Sequence, residues 1–477
     1  MGGKYDTMTT GGATLKCAGD VTYLGHPKGL FYLAFTEAWE RFSFYGMTAL
    51  VVLYMVNQLL LPGHVEHIGG FSGFRAAVES LFGPLSTQAL ASQIFGLYSG
   101  FVYFTPLLGG LIADRWIGQR NGVVIGALLM SAGHIAMTFD KSFLVALLLL
   151  VIGSGFLKGN ISAQVGALYP RGDEARRTRG FLIFSTGINI GAVVGPLLCG
   201  LLAQVYGWHY GFGIAAIFML LGLSTYLYGF RYLPARVERR KFEGTRLTAA
   251  ERRSVYALIA VMIITVFQST AYYQLFNVTP IWIQEHVALD LGSFRIPVPW
   301  YQSINSVFSI VGVPLVFWIW RHQALRRREP DDLAKIGTGA WIAAASNLIL
   351  VAAIFASGDA PVHPIWPFLY CAVLGVSFLY YWPTLLALVS RAAPAKVNAT
   401  LMGLAFMSLF ISNNLIGWIG GFYEKMRPAE FWAMHAAIAA GGGLLVALFG
   451  RRLSRALHPA RSVDELPPNR AEATRAP

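Results

Sequence analysis

Twelve separate apolar runs constrain this chain more than any other feature, because crossing a bilayer takes ~20 such residues. They cover 30–58, 87–113, 120–139, 143–167, 179–203, 209–232, 254–283, 299–321, 337–357, 363–390, 399–421 and 429–450. Hydrocarbon offers no water to a bare N–H or C=O, so each run must close its own hydrogen bonds as a helix. The predicted fold class is an all-α polytopic membrane protein with twelve transmembrane helices. Only 13% of the residues are charged, against about 25% in soluble domains.

A formal net charge of +13 would suit a nucleic-acid binder, but the placement of the charges argues against one. With both termini cytoplasmic, 30 of the 37 Lys and Arg fall in inner segments. Arg75, Lys141, Arg295, Lys425 and Arg427 fall in outer loops, and Arg41 and Lys158 fall inside runs. That asymmetry orients membrane proteins. It predicts an inner-membrane protein with cytoplasmic ends, in which "RVERRKFEGTRLTAAERR" and "RHQALRRREPDD" are anchors and nucleic acid is not a partner. Cys17, Cys199 and Cys371 form no CxxC or Cys/His cluster, so no disulfide, metal or cofactor is signalled. No cleavable signal peptide is read, since the first run follows a polar tail and is long enough to stay in the membrane. "MGGKYD" lacks the sixth-position Ser or Thr of a myristoylation site. There is no P-loop GKS/GKT and no nucleophile–base constellation, so an enzyme is not expected.

Ionisable groups deep inside the runs are few: Glu37, Glu40 and Arg41 in the first and Lys158 in the fourth. Glu37 and Glu40 are three apart and Glu37 and Arg41 four apart, which places them on one helix face. Tyr45 follows one turn later. Two carboxylates and two cations cancel, which lets such a group persist in a low dielectric. Protonating one Glu leaves surplus positive charge that an anionic cargo group can neutralise, the logic of a symporter. The bland alternative is a static ion-pair network, yet intramembrane charges are functional candidates by default. Lys158 sits in "GSGFLKGNIS", whose glycines permit close helix approach.

The longest inner loop, 233–253, separates six runs from six, and "GGLIADRWIGQR" carries Gly109, Gly110, Asp114, Arg115, Gly118 and Arg120. Both features resemble the major facilitator superfamily, whose cargo sites lie between two six-helix bundles. The implied domains are a cytoplasmic tail 1–29, bundles 30–232 and 254–455, a linker 233–253 and a disordered tail 456–477. Within that superfamily the first run resembles the proton-dependent oligopeptide transporter family, whose motif ExxERFxYYG is matched by Glu37, Glu40, Arg41, Phe42, Tyr45 and Gly46, with Phe44 in place of its first Tyr. Gly153, Gly155, Lys158, Asn160 and Ser162 match GTGxxKPNxS, with Gly159 for Pro. "GINIGA", "VYFTPLLGG" and "YQSINSVF" place Asn189, Tyr103 and Asn305 on the family's pocket positions.

The resemblance implies proton coupling by Glu37, Glu40, Arg41 and Lys158, with Arg41 and Lys158 receiving a peptide carboxylate. Tyr45, Tyr103, Asn189 and Asn305 would line the pocket. The second half departs from the family: Tyr273 stands for the Glu of FWxxxEQ, Phe378 for the Glu of GELxxSP, and Ala405 for a Trp. Tyr273 and Phe378 are then expected in the pocket, and a cargo ammonium would depend on Asn305, carbonyls or the rings of Tyr272, Tyr273, Tyr380 and Tyr381. The outer gate would need substitutes, for which His64, Glu66, His67, Glu285 and His286 are candidates. The expected activity is proton-coupled import of di- and tripeptides by a monomer in the lipid bilayer. A non-peptide anion as cargo (nitrate or an organic acid) and a non-transporting membrane sensor are the alternatives.

Overall fold

Each of the twelve apolar runs is helical in the computed structural model, which describes residues 22–170, 173–234, 247–326, 329–394 and 396–457. Residues 1–21, 235–246 and 458–477, and with them Cys17 and most of the expected tails and linker, lie outside the described residues. A short strand pair, β1 (Thr22–Tyr23) and β2 (His26–Pro27), precedes α1 (Lys28–Tyr54). The first half continues with α2 (Phe71–Phe82), α3 (Thr87–Ile112), α4 (Gln119–Ala136), α5 (Phe143–Ala167), α6 (Glu174–Tyr206) and α7 (Trp208–Gly229). The second half holds α8 (Ala249–Tyr273), α9 (Val278–His286), α10 (Trp300–Leu325), α11 (Asp332–Ser357), α12 (Ile365–Ala392), α13 (Asn398–Gly420) and α14 (Pro428–Leu457). A second hairpin, β3 (Asp290–Leu291) with β4 (Phe294–Arg295), joins α9 to α10. Eleven segments among the described residues are long and apolar enough to cross a membrane. The run at 120–139 is α4, 18 residues long and carrying Arg120.

Three local features depart from uniform spans. The run 254–283 is two helices, because α8 stops at Tyr273 and a 3-10 turn, Gln274–Phe276, precedes α9. The side-chain amides of Gln274 and Asn277 donate to the Ile416 carbonyl at 3.3 and 2.9 Å across this break. The connection after α1 is not bare loop: it contains the amphipathic α2, which buries Phe71 and Val78. Wide π-helical turns at Met55–Leu59 and Ala113–Ile117 end the α1 and α3 helices. The second leads to Gly118 at φ 79°, a left-handed value that suits glycine.

Packing within the first half depends on missing side chains. Along α6, a Cβ added at Gly187, Gly191 or Gly195 would lie 2.6, 2.6 and 2.5 Å from the α1 carbonyl oxygens of Ala34, Ala38 and Phe42. A Cβ on Gly109 would collide with the Gly155 carbonyl oxygen, and one on Gly126 would lie 2.7 Å from that of Gly153. In lipid, where water does not drive helices together, such small-residue stripes let backbones touch and gain dispersion contacts. The α6 stripe lies directly behind the α1 segment that carries Glu37, Glu40 and Arg41. Gly191→Val should therefore push α6 from α1 and destabilise the protein by about 1–3 kcal/mol, the usual cost of overpacking. A thermal melt indistinguishable from wild type would show that the stripe is not close-packed.

At the end carrying the N-terminal hairpin, called the near end below, His26 is buried and its Nδ1 lies 2.9 Å from the Tyr169 hydroxyl. Arg176 Nε donates to the Gly25 carbonyl at 2.8 Å. Burial, then Arg176 and Arg179, hold the His26 imidazole below its ordinary value of 6.5. A lowered histidine value means that the released chain takes up the proton more readily than the docked one, so docking weakens as pH falls below 6.5. Relative to the intrinsic exchange rate at each pH, protection of the amides at 22–27 should fall as pH drops below 6.5 in wild type and stay constant in His26→Gln. An equal loss of protection in both would remove this role.

Candidate functional site: a charge and aromatic array at mid-bundle

The buried charges predicted on one face of α1 do meet. Arg41 Nε lies 2.8 Å from Glu37 Oε1 and 2.6 Å from Glu40 Oε2. All three side chains are buried, Glu40 completely. One guanidinium thus serves two carboxylates, and Glu37 Oε2 and both Glu40 oxygens lack a well-directed hydrogen bond. Carboxylate oxygens left short of donors in a low dielectric are the ones for which a proton is a good partner.

Lys158 reaches the same level from α5 but is not ion-paired among the described residues. Its Nζ lies 4.4 Å from the centroid of the Phe44 ring and 5.2 Å from that of Tyr103. Arg41 Cζ lies 5.6 Å from the centroid of the same Phe44 ring, so the two cations share one aromatic side chain. Tyr45 is half-buried and within electrostatic reach of Arg41, Glu40, Glu37 and Tyr103. The four predicted coupling residues and Tyr45 are therefore neighbours, although Lys158 stands off the carboxylates.

The array continues into the second half. The hydroxyls of Tyr103 and Tyr273 are 3.2 Å apart, with the rings edge-on at 6.0 Å. Tyr272 packs on Tyr273 at 5.3 Å and on Phe378 at 5.5 Å. Its hydroxyl donates to Asn305 Oδ1 at 2.8 Å, and Asn305 Nδ2 donates to the Cys371 carbonyl at 3.2 Å. Asn305 is buried, with both ends of its amide engaged, so here it orients Tyr272. Asn189 is exposed on α6 and is not hydrogen-bonded into the array among the described residues. Tyr380 packs edge-on against Trp320, and Tyr381 is fully buried against the Ser269 hydroxyl, so neither joins the array. Sequence reasoning took Phe44 as a mere departure and gave Tyr272 no more than a possible ring contact. No single helix signals either role, because both depend on which helices meet.

Hydrogen bonds between the halves run from this level to the far end, opposite the N-terminal hairpin. Ser303 Oγ donates to the Val193 carbonyl at 2.7 Å, Trp300 Nε1 to Leu197 at 3.0 Å and Gln88 Nε2 to Gly420 at 3.1 Å. Gly96 and Gly417 meet backbone to backbone. Asn57 and Gln284 form a reciprocal amide pair, each side-chain NH2 donating to the other's carbonyl oxygen at 2.9 and 3.1 Å. Of the five titratable groups expected to gate this end, His64 lies 3.5 Å from Asp140, while Glu66 accepts from its own Gly63 N–H. Glu285 accepts from Tyr423 and lies 3.9 Å from His286. The contacts of these groups stay within their own halves, while the links across this end include the neutral amide pair and the Ser86 hydroxyl, which donates to the exposed Glu424 carboxylate. Gln284→Ala should leave the Asn57 amide unsatisfied at a cost of about 1–3 kcal/mol, with faster hydrogen exchange in α9 and the Met55–Leu59 turn. Unchanged exchange would mean that the pair does not hold the far end.

The profile of the Major Facilitator Superfamily matches residues 41–417. An uncharacterized transporter of Bacillus subtilis, YclF, is 28% identical, the match covering 91% of this chain and 96% of that protein. The peptide transporter YePEPT of Yersinia enterocolitica is 29% identical, over 90% of this chain and 95% of its own. A crystal structure of a peptide transporter, POT, in complex with sulfate superposes with a TM-score of 0.80 at 28% identity, covering 91% of this chain and 97% of that one.

Proposed function

This chain belongs to the major facilitator superfamily, and on that premise we propose that it is a member of the proton-dependent oligopeptide transporter family, a proton-coupled symporter of di- and tripeptides working by alternating access, a reading supported by its likeness to peptide transporters. The observation that carries this reading is the division of labour among four buried charges. Arg41 is occupied by Glu37 and Glu40, while Lys158 rests on aromatic rings without a carboxylate. Taking up a proton at the Glu pair loosens its hold on Arg41 and leaves net positive charge facing the site. A peptide carboxylate restores neutrality at Lys158 and Arg41, so proton and cargo enter together. A potential of 100 mV supplies about 2.3 kcal/mol per charge for this.

The hydrogen-bonded far end corresponds, in this reading, to a state that exchanges cargo at the near end. The Lys and Arg distribution supports placing that end, with both termini, in the cytoplasm of an inner-membrane protein that acts as a monomer. Tyr45, Tyr103, Tyr273 and Phe378 line the path of the cargo side chains, and Asn305 acts through Tyr272. Asn189, on the exposed face of α6, reaches the cargo in another conformation of the cycle.

A second reading keeps the proton chemistry and changes the cargo to a non-peptide anion. It is favoured by Tyr273 and Phe378, which offer an ammonium group only ring faces and a hydroxyl. Competition by free and N-blocked dipeptides separates the two, since an anion site should not distinguish them. The main test is pH-driven dipeptide uptake in proteoliposomes. Wild type should accumulate peptide, and Lys158→Ala should lose at least about tenfold in uptake, because the cargo carboxylate then enters a buried site lacking one of its two cations. Uptake insensitive to this substitution would overturn the mechanism.

A further inference from the structure

Two cations share the Phe44 ring. Lys158 Nζ is 4.4 Å and Arg41 Cζ 5.6 Å from its centroid. Phe44 is itself buried on α1 and also packs edge-on against Tyr45 at 5.2 Å. Glu40 and Glu37 act electrostatically on Lys158, yet the ammonium is not paired with either. We propose that Phe44 is a positioning residue for the proton-coupled cycle: its ring parks the Lys158 ammonium off the Glu37/Glu40 pair, leaving the carboxylates free to take a proton and the ammonium free to take a cargo carboxylate. The proposal rests on the transport reading above for its meaning in the cycle, and its geometry stands apart from that reading.

The physical ground is a ranking of strengths. A ring quadrupole attracts an ammonium ion, but more weakly than a carboxylate does at contact in the same low dielectric. A lysine held by a ring is therefore retained in place and still available. Phenylalanine has no hydroxyl with which to compete for the carboxylates or for the cargo. Among the described residues, the charged and titratable groups at this ring or one contact removed from it are Arg41, Glu40, Glu37 and Tyr45 from α1, Lys158 from α5, Tyr103 from α3, and Tyr272 and Tyr273 from α8. Tyr98 of α3 is within electrostatic reach of Glu40 and Arg41. The α6 helix contributes Cys199, which faces Gly46, and α7 contains no Asp, Glu, Lys or Arg.

Removing the aromatic face while keeping the volume should let Lys158 fall onto the acids. An opposite charge at that distance lowers a carboxyl's proton affinity by about 1–3 pH units. The experiment is an infrared titration of the purified full chain in lipid, following the C=O stretch of the protonated carboxyl, assigned by its loss in Glu40→Gln. In Phe44→Leu and Phe44→Met the protonation midpoint should move at least about one unit toward acid, while Phe44→Trp keeps the wild-type midpoint. In dipeptide uptake, the Leu and Met variants should raise KM about tenfold and shift the pH profile the same way. A wild-type midpoint in both aliphatic variants, or the same shift in the Trp variant, overturns the proposal. If the midpoints move as expected but wild type carries no dipeptide, the positioning role stands and the peptide reading falls.

Discussion

A guanidinium held between two carboxylates inside hydrocarbon is the constraint on which this structure depends. Leaving any one of the three unpaired at that depth costs ~3–5 kcal/mol, so α1 must keep Glu37, Glu40 and Arg41 within contact of each other. The helix does this by its own spacing, and α6 seals the back of that segment through a glycine stripe that leaves no room for water or lipid. The charge cluster is therefore affordable only on this packing. A fourth charge, Lys158, is brought to the same level by a helix whose glycines let it approach α3 and α4 closely. A neutral sum in which one member is only loosely engaged is a poor structural cross-link and a good exchange site.

The two halves meet differently at the two ends of the bundle. At mid-bundle the halves share the Tyr103–Tyr273 hydroxyl pair and the packing of Phe101 and Phe104 on Phe410, which can part without stranding a charge. Toward the far end the link becomes glycine contact, indole and serine donors on α6 carbonyls, the Asn57–Gln284 amides, and the Ser86 hydroxyl on the Glu424 carboxylate. Glu424 is exposed, so parting from Ser86 returns it to water, and the other pairs are neutral. A gate made of these contacts can separate and re-form at modest cost.

Most of the fold was legible because hydrocarbon permits so few solutions: each of the twelve apolar runs became helical, one of them as two helices. Runs do not report backbone breaks, however. The α8–α9 interruption is invisible to hydropathy because Gln274 and Asn277 sit among Leu, Phe and Val and find their partner, the Ile416 carbonyl, on another helix. The α2 helix escaped because its polar face hides a short apolar stripe inside a loop of ordinary composition. At the site, the α1 triad could be read from three- and four-residue spacing, and Lys158 from its motif. What could not be read was the distance between Lys158 and the acids, because that distance is set by Phe44. At the far end the five titratable groups picked out by their charge keep to their own halves, while the Asn57–Gln284 amides and the Ser86–Glu424 contact that cross between them join distant segments and leave no local pattern.

Proton coupling through the Glu pair is the central claim, and the most direct measurement separates exchange of cargo from its accumulation. In Glu40→Gln proteoliposomes, peptide counterflow down its own gradient should persist near the wild-type rate, because a neutral side chain still permits cargo binding and conformational exchange. Accumulation driven by a pH gradient should disappear. A Glu40→Gln protein that still concentrates peptide under a proton gradient would contradict the account.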